Sequence, residues 1–271
     1  MSQSDFSQML RSLGVERGDR LIVHSSFRRL RGLVETPDEA IDAILDCIGW
    51  KGNLVLPAFN YSSPLPEPYY DPQETPARTG IVVETGRQRP DALRSLHPTH
   101  SVAVIGPDAE ELTRDHLSVR ALGVGSPLDR LARTGGRILL LGVGHTSNST
   151  IHVAEEHAGL PKAPLSEPWP RARVRLPDGS VVEHPLDPSP SCGLAFGGAE
   201  YVLRREGLIR DGRAAGCRIQ IMDGQDVVDH VSALIGQEPK VLLCTNDACE
   251  RCRSNRHRID EYGLQPPETG L

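Results

Sequence analysis

The sequence predicts an α/β fold, a layered α/β/α sandwich around a mixed sheet with an additional antiparallel hairpin. Two observations carry this. Short apolar runs suited to buried strands alternate with helical patterns through the first half, and a Pro-Asp-Gly turn between alternating segments marks a hairpin in the second half. At 271 residues the chain suffices for one large domain or two small ones. We read it as a single domain over 1–271, with a catalytic core at about 15–160 and a more variable substrate-side and C-terminal portion at 161–271.

Taken in order, residues 1–14 form a short amphipathic helix and lack the apolar run and cleavage site of a signal peptide. Residues 20–24 (RLIVH) form a strand. Thr36-Pro37-Asp38-Glu39 then gives three helix-start signals: an N-cap Thr, Pro at the first helical position and Glu closing a capping box. Ile41, Ile44, Leu45 and Ile48 follow at helical spacing, Gly49 stops the helix, and residues 53–57 (NLVLP) form the next strand. The stretch 58–77 is rich in Pro, Tyr and Ser and too long for an ordinary connection; such loops are usually functional or disordered, and two adjacent tyrosines argue for packing against something.

A strand is predicted at 101–105, helices at 108–114 and 126–133, and a strand at 137–141 (RILLL) running into Gly142-Val143-Gly144, with a helix over about 149–157 ending at Gly159. Beyond it come the hairpin at 172–184, helices near 198–205 and 225–235, and strands at 218–221 and 240–243.

Composition narrows the function classes. Hydrophobic residues make up 38% and charged residues 24%, as in ordinary soluble proteins, and no stretch approaches the roughly 18 apolar residues of a membrane span. A cytoplasmic enzyme is the expectation. The net charge of −6, with Lys and Arg spread along the chain, disfavours a nucleic-acid partner and suits a polycationic small substrate.

The strongest constellation runs from Gly142 to Glu156. A strand ends in glycines, hydroxyl and amide side chains follow, and a helix opens, the arrangement that lines ligand crevices at strand C-termini. On that helix His152 stands three residues before Glu155 and four before Glu156, so either carboxylate can meet the imidazole and hold it as a general base. An ordinary surface ion pair has the same spacing. Arg94-Ser95 leads into His97-Pro98-Thr99-His100-Ser101, where two histidines around a proline are more often structural than ligand-binding. His24-Ser25-Ser26 offers hydroxyls and N–H groups at a strand end, where a phosphate could bind.

Three patterns mislead. Arg120 to Gly125 matches the R-x-x-G-x-G by which the common N-acetyltransferase superfamily grips coenzyme A, but a poor strand precedes it and Ser126-Pro127 follows directly. Gly142-Val143-Gly144 has Ser147 in place of the third glycine of a dinucleotide fingerprint. The run from His152 to His157 has neither H-E-x-x-H nor H-x-x-E-H spacing. Near the C-terminus Cys244, Cys249 and Cys252 form C-x4-C-x2-C, with His257 five residues further, four soft ligands that could close a structural zinc site. A single compact pair without a distant second one favours free thiols in a reducing compartment.

Six separated segments in order resemble the aminoglycoside 3-N-acetyltransferases. They are LIVHSS at 21–26, Tyr70-Asp71-Pro72, TPARTG at 75–80, RSLHPTHS at 94–101, GVGSPL at 123–128 and residues 139–156. The resemblance spans about 5–160, and the cysteine cluster is not part of it. It implies the family's own fold, distinct from that of the common N-acetyltransferase superfamily. It also implies transfer of an acetyl group from acetyl-CoA to the 3-amine of a 2-deoxystreptamine ring, with an N-acyltransferase for a different biosynthetic amine as the rival reading.

Carried over by position, His152 is similar to the general base and Glu155 to the carboxylate that orients it; Ser149 and Thr150 stand where family members carry Thr-Ser. His24, Ser25, Ser26, Arg94, His100, Ser101, Gly123, Gly125 and Ser126 would bind the coenzyme. Tyr70, Asp71 and Asp187 would face the cationic substrate, and His145-Thr146 replaces an aromatic residue and an Asp of many members. With no cysteine in the constellation to carry an acyl group, direct transfer in a ternary complex is expected.

Overall fold

The computed structural model describes residues 3–60, 69–161, 171–186 and 191–266. From the N-terminus the elements are α1 (Gln3–Ser12), β1 (Arg20–Ser25), the single turn α2 (Phe27–Leu30), α3 (Pro37–Ile48), β2 (Asn53–Leu56), β3 (Tyr69–Tyr70), α4 (Ile81–Arg87), β4 (Ala92–Arg94), β5 (Ala103–Ile105), α5 (Ala109–Thr113), α6 (Pro127–Arg133), β6 (Arg137–Leu141) and α7 (Thr150–His157). The second half adds β7 (Arg171–Arg175), β8 (Val181–Pro185), α8 (Gly197–Arg205), β9 (Arg210–Ala214), β10 (Cys217–Asp223), α9 (Gly224–Gln237) and α10 (Glu250–Tyr262).

Seven strands form one mixed sheet in the order β4-β5-β2-β1-β6-β10-β9. Its centre, β2-β1-β6, is parallel, and the flanking strands on both sides are antiparallel. Alternation along the central strands decides the layers, because successive side chains point to opposite faces. Leu21, Val23, Leu54, Leu56, Leu139 and Leu141 pack with Phe6, Leu10, Ile41, Ile44 and Ile48 of α1 and α3. Their neighbours Ile22, Val55, Ile138 and Leu140 face the other way, against Leu128, Leu131, Ile151, Val153, Val227 and Val231 of α6, α7 and α9. Burying each such side chain contributes about 1.5–3 kcal/mol, so the period-two pattern fixes which helix covers which face.

The start of α3 forms as the sequence predicts. Thr36 Oγ1 accepts from the Glu39 N–H at 3.1 Å, Gly49 leaves the helix at φ 66°, and its N–H donates to the Leu45 carbonyl at 2.7 Å. Glu39 Oε2 reaches back to the N–H of Glu35, one residue before the cap, at 2.8 Å.

The hairpin β7–β8 pairs Arg171 with Pro185 through to Arg175 with Val181, and β3 adds parallel to β7 to give a separate three-stranded sheet. The strand expected at 240–243 is replaced by turns. Leu242 and Leu243 are apolar because they enter the core cluster from a loop, without a ladder partner. Six elements lack a strong period and emerge only in the fold: α2, β3, α4, β4, β9 and α10. Among the described residues no helix is long and apolar enough to cross a membrane.

Candidate active site

The parallel strands β1 and β6 end side by side, with Ser25 opposite Leu141 and the Ser26 N–H donating to the Leu141 carbonyl at 2.9 Å. Gly142 then turns the chain at φ 67°, and a Cβ there would stand 2.4 Å from Cβ of Arg29, so this exit from β6 needs glycine. A 3₁₀ turn over His145–Ser147 follows, and α7 opens at Thr150, whose N–H donates to Oδ1 of the buried Asn148 at 3.2 Å.

These segments wall a cavity of 510 Å³, together with Phe59, Arg78, Thr79, His100, Ser191-Cys192-Gly193, Phe196 and Arg251. His152 lies in its wall, with Nδ1 2.7 Å from Oε2 of Glu155, whose side chain is fully buried. Against an ionised Glu155, which only accepts, Nδ1 is the protonated nitrogen and Nε2 keeps the lone pair. The ring is held from a second side by Phe196, edge-on at 4.7 Å between centroids. His100 is fixed by Thr99 Oγ1 at 2.8 Å from its Nδ1 and by Phe59 at 4.7 Å.

Burial, reinforced by charge on neighbouring groups, pushes His24 and His100 down to about 3. Burial likewise lowers His145, the first residue of the 3₁₀ turn, to about 4. At neutral pH these three imidazoles are uncharged. The fixed positive charge at the cavity comes from Arg78 and Arg251, both exposed at its rim, and no carboxylate is among its described lining residues.

Of the residues singled out in the sequence, His24, Ser25, His100, Ser149 and His152 share this wall, with Glu155 directly behind. Others stand outside it. Arg94 is buried and donates to Ser101 Oγ at 3.0 Å and to the carbonyls of Ala58, Pro72 and Thr75, pinning the loop before α4. Ser101 donates to the same Ala58 carbonyl at 2.9 Å, and Ser26 sits at the N-cap of α2. Gly123, Gly125 and Ser126 build the start of α6, where Ser126 caps the helix and the Gly125 N–H donates to Asp129 at 2.7 Å. Thr150 is buried at the start of α7.

The two residues expected to face the substrate are likewise turned inward. Tyr70 is fully buried and donates its hydroxyl to the Ser95 carbonyl at 2.6 Å, and Asp71 accepts the Gln73 N–H at 2.8 Å. Asp187 lies outside the described residues.

Several cavity residues were not legible as site residues, among them Phe59, Arg78 and Thr79 of the first half and Ser191, Cys192, Phe196 and Arg251 of the second, which reach the cavity only through the tertiary fold. Cys192 brings a thiol to the cavity wall, although the constellation from Gly142 to Glu156 holds none. His257 is also displaced from its expected role. It is 79% exposed and pairs loosely with Glu261 at 3.6 Å, while Cys192 joins Cys244, Cys249 and Cys252 instead.

A family model described as aminoglycoside 3-N-acetyltransferase matches residues 22–235. The chain belongs to the aminoglycoside 3-N-acetyltransferase family. It is an acetyltransferase with the mixed α/β fold of that family. It is 33% identical over 236 residues to aminoglycoside N(3)-acetyltransferase IV of Salmonella sp, covering 86% of this chain and 87% of the relative. Among solved structures it is similar to a histidine-to-alanine mutant of aminoglycoside acetyltransferase AAC(3)-IVa in complex with gentamicin, with a TM-score of 0.82, 30% identity and coverage of 94% and 96% of the two chains. A binary complex of AAC-IIIb with CoASH superposes with a TM-score of 0.72 at 25% identity, covering 88% of this chain and 97% of that one.

Proposed function

We propose that this acetyltransferase moves the acetyl group of acetyl-CoA to the 3-amino group of a 2-deoxystreptamine aminoglycoside by direct transfer, with His152 as general base. The observation that carries the reading is the 2.7 Å bond from His152 Nδ1 to the buried Glu155 carboxylate, in the wall of a cavity large enough for ligand. The relatives act on this substrate class by name, and one solved neighbour holds coenzyme A.

Charge divides the cavity between the two substrates. Arg78 and Arg251 fit the phosphates of the coenzyme and would repel a polycation, so the coenzyme belongs on their side, with the hydroxyls of Ser25 and Thr79 as further donors. An aminoglycoside amine is largely protonated at neutral pH and first releases one proton. His152 Nε2 then takes a second proton as the amine nitrogen attacks the thioester carbonyl carbon. The C–N bond forms, the C–S bond breaks as the tetrahedral intermediate collapses, and the imidazolium proton passes to the departing thiolate. The hydroxyls of Thr146, Ser147 and Ser149 at the α7 entrance would steady the oxyanion. Cys192 is tied to Cys252, with sulfurs 3.5 Å apart, and is not used as an acyl carrier.

The rival, acyl transfer to a different primary amine, draws on the lack of a carboxylate among the described cavity residues. Thiol release from acetyl-CoA, measured with gentamicin, apramycin and simple primary amines, decides between them. Turnover with an aminoglycoside and a product acetylated at the 3-amine are expected. Coenzyme binding with turnover only on other amines would replace the substrate assignment, and absence of coenzyme binding would overturn the reading.

A further inference from the structure

Cys192 and three cysteines more than 50 residues further along the chain converge beside the cavity. Cys192 comes from the segment before α8, Cys244 from the loop after α9, and Cys249 and Cys252 from the start of α10, and their sulfurs all lie within 4.8 Å of one another. A tetrahedral zinc site with Zn–S bonds of about 2.3 Å requires sulfurs roughly 3.8 Å apart, so small side-chain adjustments close the shell. We propose that Cys192, Cys244, Cys249 and Cys252 bind one Zn2+ as a closed tetrathiolate that staples α10 to the wall of the catalytic cavity.

The surroundings suit such a centre. The Leu194 N–H points at Cys192 Sγ from 3.5 Å, a backbone donor of the kind that supports metal-bound thiolates. Asn246 shapes the loop between Cys244 and Cys249 by accepting the N–H groups of Ala248 at 2.9 Å and Cys249 at 3.0 Å. Four thiolates on a divalent ion leave two negative charges. The N-terminal end of α10 faces them, and Arg256 on the same helix donates to the Cys244 carbonyl.

An energetic argument points the same way. Helix α10 runs for 13 residues yet buries only Cys252, Asn255 and Ile259. One fully apolar buried side chain, Ile259, is little to hold three turns of polar helix in place. Structural zinc supplies folding free energy outright as its ligands give up their protons. The anchored residues matter to the cavity: Cys192 lines it four positions before Phe196, and Arg251 lies between two of the proposed ligands.

The test is metal analysis of the intact enzyme, which requires no turnover and is therefore independent of the substrate assignment. Mass spectrometry of the purified protein is expected to find one zinc per chain. Exchange with cobalt(II) is expected to give the intense thiolate-to-cobalt charge-transfer bands of a tetrahedral site. The Cys249→Ser variant is expected to lose the metal at least tenfold more readily to a chelator, and His257→Ala to retain it. If Cys249→Ser does not fold, the cobalt spectrum of the unaltered protein decides alone. A protein that neither contains zinc nor takes up zinc or cobalt on reconstitution would overturn the proposal, as would a Cys192–Cys252 disulfide found by non-reducing peptide mapping.

Discussion

In the proposed mechanism the work of His152 depends on the residue one helical turn further on. Spacing left Glu155 and Glu156 both open, the family resemblance pointed to Glu155, and the fold adds the 2.7 Å bond and the complete burial of that carboxylate. Glu155→Gln keeps the shape and removes the charge that holds Nδ1 protonated, so kcat is expected to fall at least about tenfold with little change in KM, measured by thiol release. Arg251→Ala is expected to raise KM for acetyl-CoA by about tenfold while leaving kcat within about twofold, since a rim cation binds ground and transition states alike. A fall in kcat with unchanged KM would move Arg251 to the reacting centre. Arg251 and Cys192 could not be read from sequence because nothing local records that they share a cavity wall with residues of β1 and α7 that stand 40 or more positions earlier. His257 shows the opposite error. Five residues beyond Cys252 on one helix its side chain is rotated by about 140° from that of the cysteine, away from the cluster.

At the scale of elements, caps were read best because their chemistry is local. Thr36→Ala removes the acceptor for the Glu39 N–H and is expected to cost about 1 kcal/mol, visible as a drop of about 2–4 °C in Tm. The end of α7 is more demanding. Gly159 was read as a helix stop, and its φ of +72° agrees with that role. The fold adds a second reason for glycine. A Cβ there would lie 1.6 Å from the carbonyl oxygen of Gln265, whose N–H donates to the Gly159 carbonyl at 2.7 Å. Gly159→Ala is therefore expected to displace the segment after α10, cost more than about 1 kcal/mol and speed proteolysis there. Strand prediction failed at 240–243 and missed β4 and β9. An apolar run shows burial, whereas a strand needs a ladder partner, and partners are set by topology.

Across the whole molecule, the seven-stranded sheet unites the halves. Strands β9 and β10 of the second half extend the parallel centre built by the first, and the cavity opens where β1 and β6 end. Layering followed from alternation in the strands, while the order of the outer strands left no trace in the sequence. A global consequence concerns acid stability. Burial holds His24 and His100 at about 3, His116 and His145 at about 4, and His97 well below its ordinary 6.5. Below pH 6.5 the unfolded chain takes up these protons and the folded chain does not, so stability is fully present above that pH and declines as pH falls toward 4. Each histidine steepens the slope by up to about 1.4 kcal/mol per pH unit. Urea titrations from pH 7.5 to 5 are expected to show a monotonic loss; unchanged midpoints would mean that these rings are not buried as neutral groups.

The central claim is that His152 takes the amine proton during direct acetyl transfer. Steady-state thiol release by the His152→Ala variant, with whichever aminoglycoside the unaltered enzyme turns over, tests it most directly, with coenzyme binding and Tm recorded alongside. The predicted result is a fall in kcat of about 10²–10⁴-fold with coenzyme binding retained and Tm little changed. A folded variant that keeps kcat within about threefold of the unaltered enzyme would contradict the assignment and place the base elsewhere in the cavity.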